Sequence, residues 1–254
     1  MNILYIHTHD TGRYIQPYGY PVQTPSLMAL AEESTVFRNA YCAAPTCSPS
    51  RAALLTGTAP HSCGMYGLAH RGFSIHDYKR HLARLLSDRG YNTVLCGIQH
   101  EAENALFLGY RHIIGNRDYS MGKCDRDWRA FDLDNAEKAA EFIRTPHREP
   151  FFLSFGMFGT HRKFPEPGEL VNPDYILPPM TVFDNAENRR DMAGFITMVK
   201  TADECVGIVM DAVHDSHIED DTLIIFTTDH GMAFPQMKCS LYDTGMGVSL
   251  MIKC

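Results

Sequence analysis

Four short runs of nearly continuous apolar and aromatic residues, Ile3–His7, Thr93–Gly97, Phe151–Met157 and Leu223–Thr227, do most to narrow the folds open to this chain. Runs of this length without polar alternation read as strands buried on both faces, the pattern of a parallel sheet. Helical periodicity fills the intervals: Pro25–Glu33 with Thr24 as its cap, Pro49–Leu55, Tyr78–Asp88 with Leu82, Leu85 and Leu86 as a buried stripe, and Asn135–Arg144. A longer helix is predicted from about Asn188 to Val213, with Met192, Phe195, Val199, Val206 and Val213 facing inward. Strand and helix in alternation predict an α/β fold, a mostly parallel central sheet flanked by helices, in one domain over residues 1–254. His161–Asp184, proline-containing and aperiodic, is predicted as a long loop at the sheet edge, and such loops in compact domains tend to carry function.

Ligands of open α/β sheets bind beyond the carboxyl ends of the strands. Four polar groups fall there: "HTHD" (His7, His9, Asp10), "IQHE" (His100, Glu101), "GTHRK" (His161, Arg162, Lys163) and "DHG" (Asp229, His230), the last followed by Lys238. A single histidine after a strand is more often structural than functional. Four such groups converging on one edge form a mixed carboxylate and imidazole set suited to a divalent cation. A fifth element is "CSPSRAALLTG". Ser48 reads as an N-cap and Pro49 as the first helical residue, so Cys47 would sit at the positive end of a helix, where a thiolate or another anion is favoured. Arg51, one turn on, could grip a tetrahedral oxyanion at the same spot. The plainer reading is a buried structural cysteine beside a surface arginine. A cation with arginine and lysine is what a transferring sulfuryl or phosphoryl group needs, because charge on its oxygens must be stabilised in place.

The net charge of −7 argues against nucleic acid or an anionic membrane as the main partner. No run approaches the ~20 apolar residues of a membrane span. Eight cysteines without a C-x-x-C pair argue against zinc ribbons and disulfide frameworks. The chain opens on a strand-like run with no basic leader, so the expected setting is reducing and cytoplasmic.

Cys47-Ser48-Pro49-Ser50-Arg51, its continuation "AALLTGTAPHSCGMYGL", and the stretches "PFFLSFGMFGTHR" and "DDTLIIFTTDHGMAFP" resemble the sulfatase family of the alkaline-phosphatase-like superfamily. In order and spacing they are most similar to its heparan N-sulfatases (sulfamidases), from residue 2 to about residue 250. The resemblance implies that a formylglycine-generating enzyme converts Cys47 to formylglycine, whose hydrated aldehyde attacks sulfur and later expels sulfate through a hemiacetal. It implies that Arg51 holds the nucleophile and a sulfate oxygen. Asp10 and Asp229, joined by His230 and His9, would ligate one divalent metal, with residue 47 beside it. His100 would lie near the nucleophile, while His161 and Lys238 would contact sulfate or protonate the leaving group. Arg13, His70, Arg71 and Lys163 are candidates for contacts to the rest of a sulfated small molecule or carbohydrate.

The chain also departs from the family pattern. His9-Asp10 stands where sulfatases usually carry two aspartates, and His230 stands where the calcium-binding members have asparagine. Ile98 replaces a lysine two residues before His100. Calcium follows from the resemblance, whereas histidine ligands suit manganese, zinc or iron. Protonation of those ligands predicts that activity falls below about pH 6. The aspartate-histidine pair also looks like the phosphonate monoester and phosphodiester hydrolases of the superfamily, which is one alternative. Family members usually continue into a smaller C-terminal subdomain, whereas this sequence stops in the strand-like "GVSLMIKC". The second alternative is therefore an inactive truncated domain. On either view, apolar surface near the C-terminus could be covered by another subunit in an oligomer.

Overall fold

The structure, a computed structural model, describes residues 1–115, 127–167 and 171–254; Cys124 lies outside them. In chain order the elements are β1 (Asn2–Thr8), α1 (Pro25–Glu32), β2 (Thr35–Val36), α2 (Cys47–Thr56), α3 (Pro60–Cys63), α4 (Leu82–Ser87) and β3 (Asn92–Gly97). There follow β4 (His112–Ile114), α5 (Trp128–Arg144), β5 (Phe151–Gly156), α6 (Ala186–Asp215), β6 (Thr222–Thr228), α7 (Asp243–Met246) and β7 (Leu250–Lys253). Among the described residues, the strands form one sheet in the order β2-β7-β6-β1-β5-β3-β4. β7 runs antiparallel to β6 and β2, and the other pairings are parallel. The sheet is therefore mostly parallel, as its apolar runs predict.

β1 is central. Its register sets His7 beside Gly156 of β5 and Thr227 of β6, so the three strands end almost level. Whatever follows them must emerge at one edge. Side chains alternate along β1. Leu4 and Ile6 pack with Phe155 and Phe226 under Ala136 of α5 and Phe195, Val199 and Val206 of α6. On the other face Tyr5, Leu95 and Phe152 pack with Leu55 of α2 and Ala83 of α4. Burying each such large side chain contributes roughly 1.5–3 kcal/mol. No helix among the described residues is long and apolar enough to cross a membrane.

Local rules mislead at three helix starts. α2 begins at Cys47 with Thr46 as its N-cap residue, not at Pro49 with Ser48 as cap. Ser48 Oγ instead accepts the Ala69 N–H at 3.1 Å. Pro49 is tolerated because the N–H it lacks has no helical partner in the first turn. Thr24 makes no side-chain cap to α1. Asp203 of α6 does that work from 177 and 176 residues away, accepting the N–H groups of Ser26 (3.2 Å) and Leu27 (2.7 Å). The predicted helix over Tyr78–Asp88 breaks at His81, whose imidazole accepts the Ala83 N–H at 3.2 Å. Ala83 is thereby the buried residue of α4, and Leu85 is 39% exposed.

Asp132 of α5 holds the turn after β5, accepting the N–H groups of Phe158 (2.9 Å) and Gly159 (2.7 Å). Burial pushes its carboxyl up to about 7 in spite of these bonds. The folded value exceeds the unfolded one, so the native state binds the extra proton. Its contribution to stability is fully present below the unfolded value of 3.8 and is lost as pH rises through about 7. Asp132→Asn keeps an acceptor but cannot ionise. Its stability relative to wild type, read from urea midpoints, should therefore improve between about pH 5 and pH 8. A difference that is constant with pH would contradict the assignment.

Candidate metal and catalytic centre

The level strand ends bring His9-Asp10 of the β1 turn against Asp229-His230 of the β6 turn. Asp10 adopts a left-handed backbone (φ 52°), uncommon for a residue with a side chain and characteristic of strained functional turns. Backbone donors of the β1 turn join the two: Asp10 N–H donates to Asp229 Oδ1 at 2.8 Å, Thr11 N–H to Thr228 Oγ1 at 3.2 Å, and Gly12 N–H to the His230 carbonyl at 2.9 Å. α2 then delivers Cys47 from its first turn. One ligand atom from each of His9, Asp10, Cys47, Asp229 and His230 lies within 4.8 Å of every other, and all five residues are buried.

The donor set fits a cation. His230 Nδ1 lies 2.9 Å from the Gly231 carbonyl, which can only accept, so Nδ1 carries the hydrogen. The other ring nitrogen, Nε2, faces Asp10 Oδ1 (3.2 Å) and Cys47 Sγ (3.3 Å). A ligating histidine usually has its other ring nitrogen held by such a hydrogen bond, which leaves Nε2 as the nitrogen to meet a cation beside Asp10. His9 Nδ1 approaches Asp10 Oδ1 at 2.7 Å and Asp229 Oδ2 at 3.3 Å. Carboxylate oxygens with imidazole nitrogens suit manganese, zinc or iron better than calcium.

Burial alone would raise both carboxyl groups. His9, His230 and Lys238 around Asp10, and His230, Arg51 and His9 around Asp229, outweigh it and hold both well below the usual carboxylate range. Lys238 Nζ is 2.6 Å from Asp10 Oδ2 and stays charged despite burial. Two carboxylates against Arg51 and Lys238 leave the centre near neutral. A divalent ion would make it positive and attractive to a sulfate or phosphate ester.

The helix end alone would favour a thiolate or another anion at Cys47, but the surroundings of the side chain work against a thiolate. Burial first, then the carboxylates of Asp229 and Asp10, push the thiol well up, and they outweigh the helix end and its neighbouring cations. Burial pushes the His9 imidazole down to about 3, against the carboxylates of Asp229 and Asp10, which act to raise it. Arg51 is not on the surface but 2% exposed. Its Nε and Nη2 lie 3.1 and 3.0 Å from Asp229 Oδ2, Nη2 also donates to the Thr8 carbonyl at 2.8 Å, and Nη1 meets His7 Nδ1 at 2.6 Å.

His161 lies at the mouth, its Nε2 3.9 Å from Asp10 Oδ2 and its ring 4.7 Å from that of His9. His100 is buried 5.8 Å from the His9 ring and pushed down to about 2, chiefly by burial. Its Nε2 is 3.0 Å from Nδ1 of exposed His70, with the rings nearly parallel. Ile98 packs with Phe131 and Phe158, so apolar contact occupies the place of the family's lysine. Arg13 is turned to Asp243 (3.0 Å) and the Ala40 carbonyl, beside a cavity of about 510 Å³ that Tyr14, Tyr20, Met180 and Met237 help to line. Arg71, at the end of a short 3-10 helix (Ala69–Arg71), and Lys163, in the loop after β5, are both exposed. Sequence reasoning placed His7 in the polar group after β1 and Ser50 in the cysteine motif but gave neither a role, and it did not single out Thr160. Ser50 Oγ donates to the Asp229 carbonyl at 2.6 Å, and Thr160 Oγ1 to the His9 carbonyl.

The family model described as Sulfatase matches residues 1–252. Human N-sulphoglucosamine sulphohydrolase is 31% identical over 257 residues, covering 91% of this chain and 50% of that protein. The chain spans about half the length of the curated relatives it matches. The crystal structure of Ps i-CgsB with k-i-k-neocarrahexaose superimposes with a TM-score of 0.79 at 21% identity, covering 99% of this chain and 65% of that one. The phosphonate monoester hydrolase of Agrobacterium radiobacter superimposes with a TM-score of 0.71 at 18% identity, covering 99% and 68%.

Proposed function

Because this chain belongs to the sulfatase family, we propose that it hydrolyses a sulfate ester or N-sulfate, carried on a carbohydrate, with residue 47 as nucleophile after conversion to formylglycine by a partner enzyme. The observation that carries this reading is the position of Cys47 at the start of α2, its Sγ 3.3 Å from His230 Nε2 and close to Asp10 and Asp229. A thiol held protonated there is a poor nucleophile, and a hydrated aldehyde in its place has a hydroxyl to offer. The carbohydrate assignment rests on relatives: one is named for N-sulfoglucosamine, and one was solved with a neocarrahexaose.

Asp10, Asp229, His230 and His9 would hold one divalent metal, which when bound supplies Lewis-acid polarisation of a sulfate oxygen and of the nucleophile's hydroxyl. The chain's own groups do the rest. Lys238, one-fifth exposed, presents a fixed positive charge to the sulfate beside Asp10. His161 Nδ1 is bonded to the Arg162 carbonyl, which leaves Nε2 to take the proton that the nucleophile's hydroxyl loses and pass it to the leaving oxygen. Arg51 fixes Asp229 against α2 and so sets the distance between metal site and nucleophile. The 510 Å³ cavity beside Arg13 would take part of the organic remainder.

The histidines of the centre favour one second reading, a phosphonate or phosphodiester hydrolase with the same nucleophile. Parallel assays on para-nitrophenyl sulfate and bis(para-nitrophenyl) phosphate separate the two. The sulfate ester is expected to turn over faster; faster turnover of the phosphodiester would favour the second reading. A chelator should abolish the rate, and manganese or zinc should restore it better than calcium. Full recovery with calcium alone would count against the histidines as ligands.

A further inference from the structure

We propose that His7 is a positioning residue for Arg51: its imidazole, itself held by Ser154, fixes the orientation of the guanidinium that joins α2 to Asp229. The protonation pattern follows from the partners. Arg51 Nη1 has only hydrogens to offer, so His7 Nδ1, 2.6 Å away, must be the bare acceptor nitrogen. His7 Nε2 then carries the hydrogen and donates it to Ser154 Oγ at 3.1 Å. The relay runs from β5 through β1 to α2.

The surroundings are shaped for this ring. His7 is 2% exposed, and Tyr5 stacks on it at 4.6 Å. Its sheet partner is Gly156, where a Cβ would come within 2.5 Å of His7 Cε1. An apolar residue at position 7 would leave a buried Arg51 N–H without its acceptor. A carboxylate would satisfy the bond but cancel the positive charge. A neutral imidazole orients the guanidinium and leaves its charge to act on Asp229 and the anion beyond.

The catalytic effect rests on the proposed function, but the orientation can be read without it. In the metal-loaded, formylglycine-containing protein, His7→Leu should lower kcat for para-nitrophenyl sulfate by about 10- to 100-fold with little change in KM. His7→Asn places an amide oxygen near the position of Nδ1 and should recover most of the rate. Nitrogen-15 spectra of histidine- and arginine-labelled protein give a readout independent of activity. They should find Nδ1 bare and Nε2 protonated in His7, and an Arg51 Nε–H that exchanges slowly with water in wild type and the Asn variant but rapidly in the Leu variant. If the Leu variant does not fold, Ser154→Ala should shift rate and exchange in the same direction by less. A protonated Nδ1, or unchanged Arg51 exchange in the variant that folds, would overturn the proposal. Absence of turnover in the wild type would instead remove the hydrolase reading, and the nitrogen spectra would still decide the role of His7.

Discussion

Cys47→Ala is expected to abolish hydrolysis of para-nitrophenyl sulfate, a fall of roughly 10⁴- to 10⁶-fold in kcat, the range seen when a nucleophile is removed. The size follows from where the side chain sits. Cys47 is buried in the first turn of α2, and its Sγ faces His230 Nε2 with Asp10 and Asp229 close by, so its derived group is the one on which the centre acts. The fold should survive. Alanine is a good helix former and removes a side chain whose hydrogen-bond contacts are a 3.3 Å approach to His230 and a 4.0 Å approach to Asp10. Loss of rate with an unchanged thermal midpoint is therefore expected. Residual activity within tenfold of wild type would place the nucleophile elsewhere.

Arg51→Lys is expected to lower kcat/KM by about 10²- to 10³-fold and to destabilise the fold, although it keeps the positive charge. Lysine has a single nitrogen at its tip. Arg51 contacts Asp229 Oδ2, the Thr8 carbonyl and His7 Nδ1 at the same time, with a planar fork of donors. In the variant at least one buried acceptor loses its partner, at about 1–3 kcal/mol each. Asp229 would also be free to turn away from the cation site. Measuring kcat/KM together with the urea midpoint separates the two effects, because destabilisation alone leaves the rate of the folded fraction intact. A variant of wild-type rate would remove Arg51 from the mechanism.

Much of the fold is legible in the sequence because its main strands are buried on both faces. β1, β3, β5 and β6 appear as apolar runs to within a residue or so. The short edge strands β2 and β4 carry too few residues for a period to emerge, whereas β7 falls within the strand-like run "GVSLMIKC". The site is legible in outline for a related reason: polar residues directly after buried strands have one place to go. What remained hidden depends on contacts between distant segments. Asp203 caps α1 from another helix, and Thr46 rather than Ser48 opens α2 because Ser48 is engaged by Ala69. The Cys47 thiol could be judged from its helix end only until the two carboxylates around it were known. The motif put Arg51 at the anion site, but its partners Asp229, Thr8 and His7 were hidden because they come from β1 and the β6 turn.

The most direct test of the account is the mass of the peptide containing Cys47, taken from protein made in its own host. The account predicts a peptide lighter than its cysteine form by the difference between a thiol and an aldehyde side chain, present in the active fraction. An unmodified thiol in protein that hydrolyses sulfate esters would contradict it.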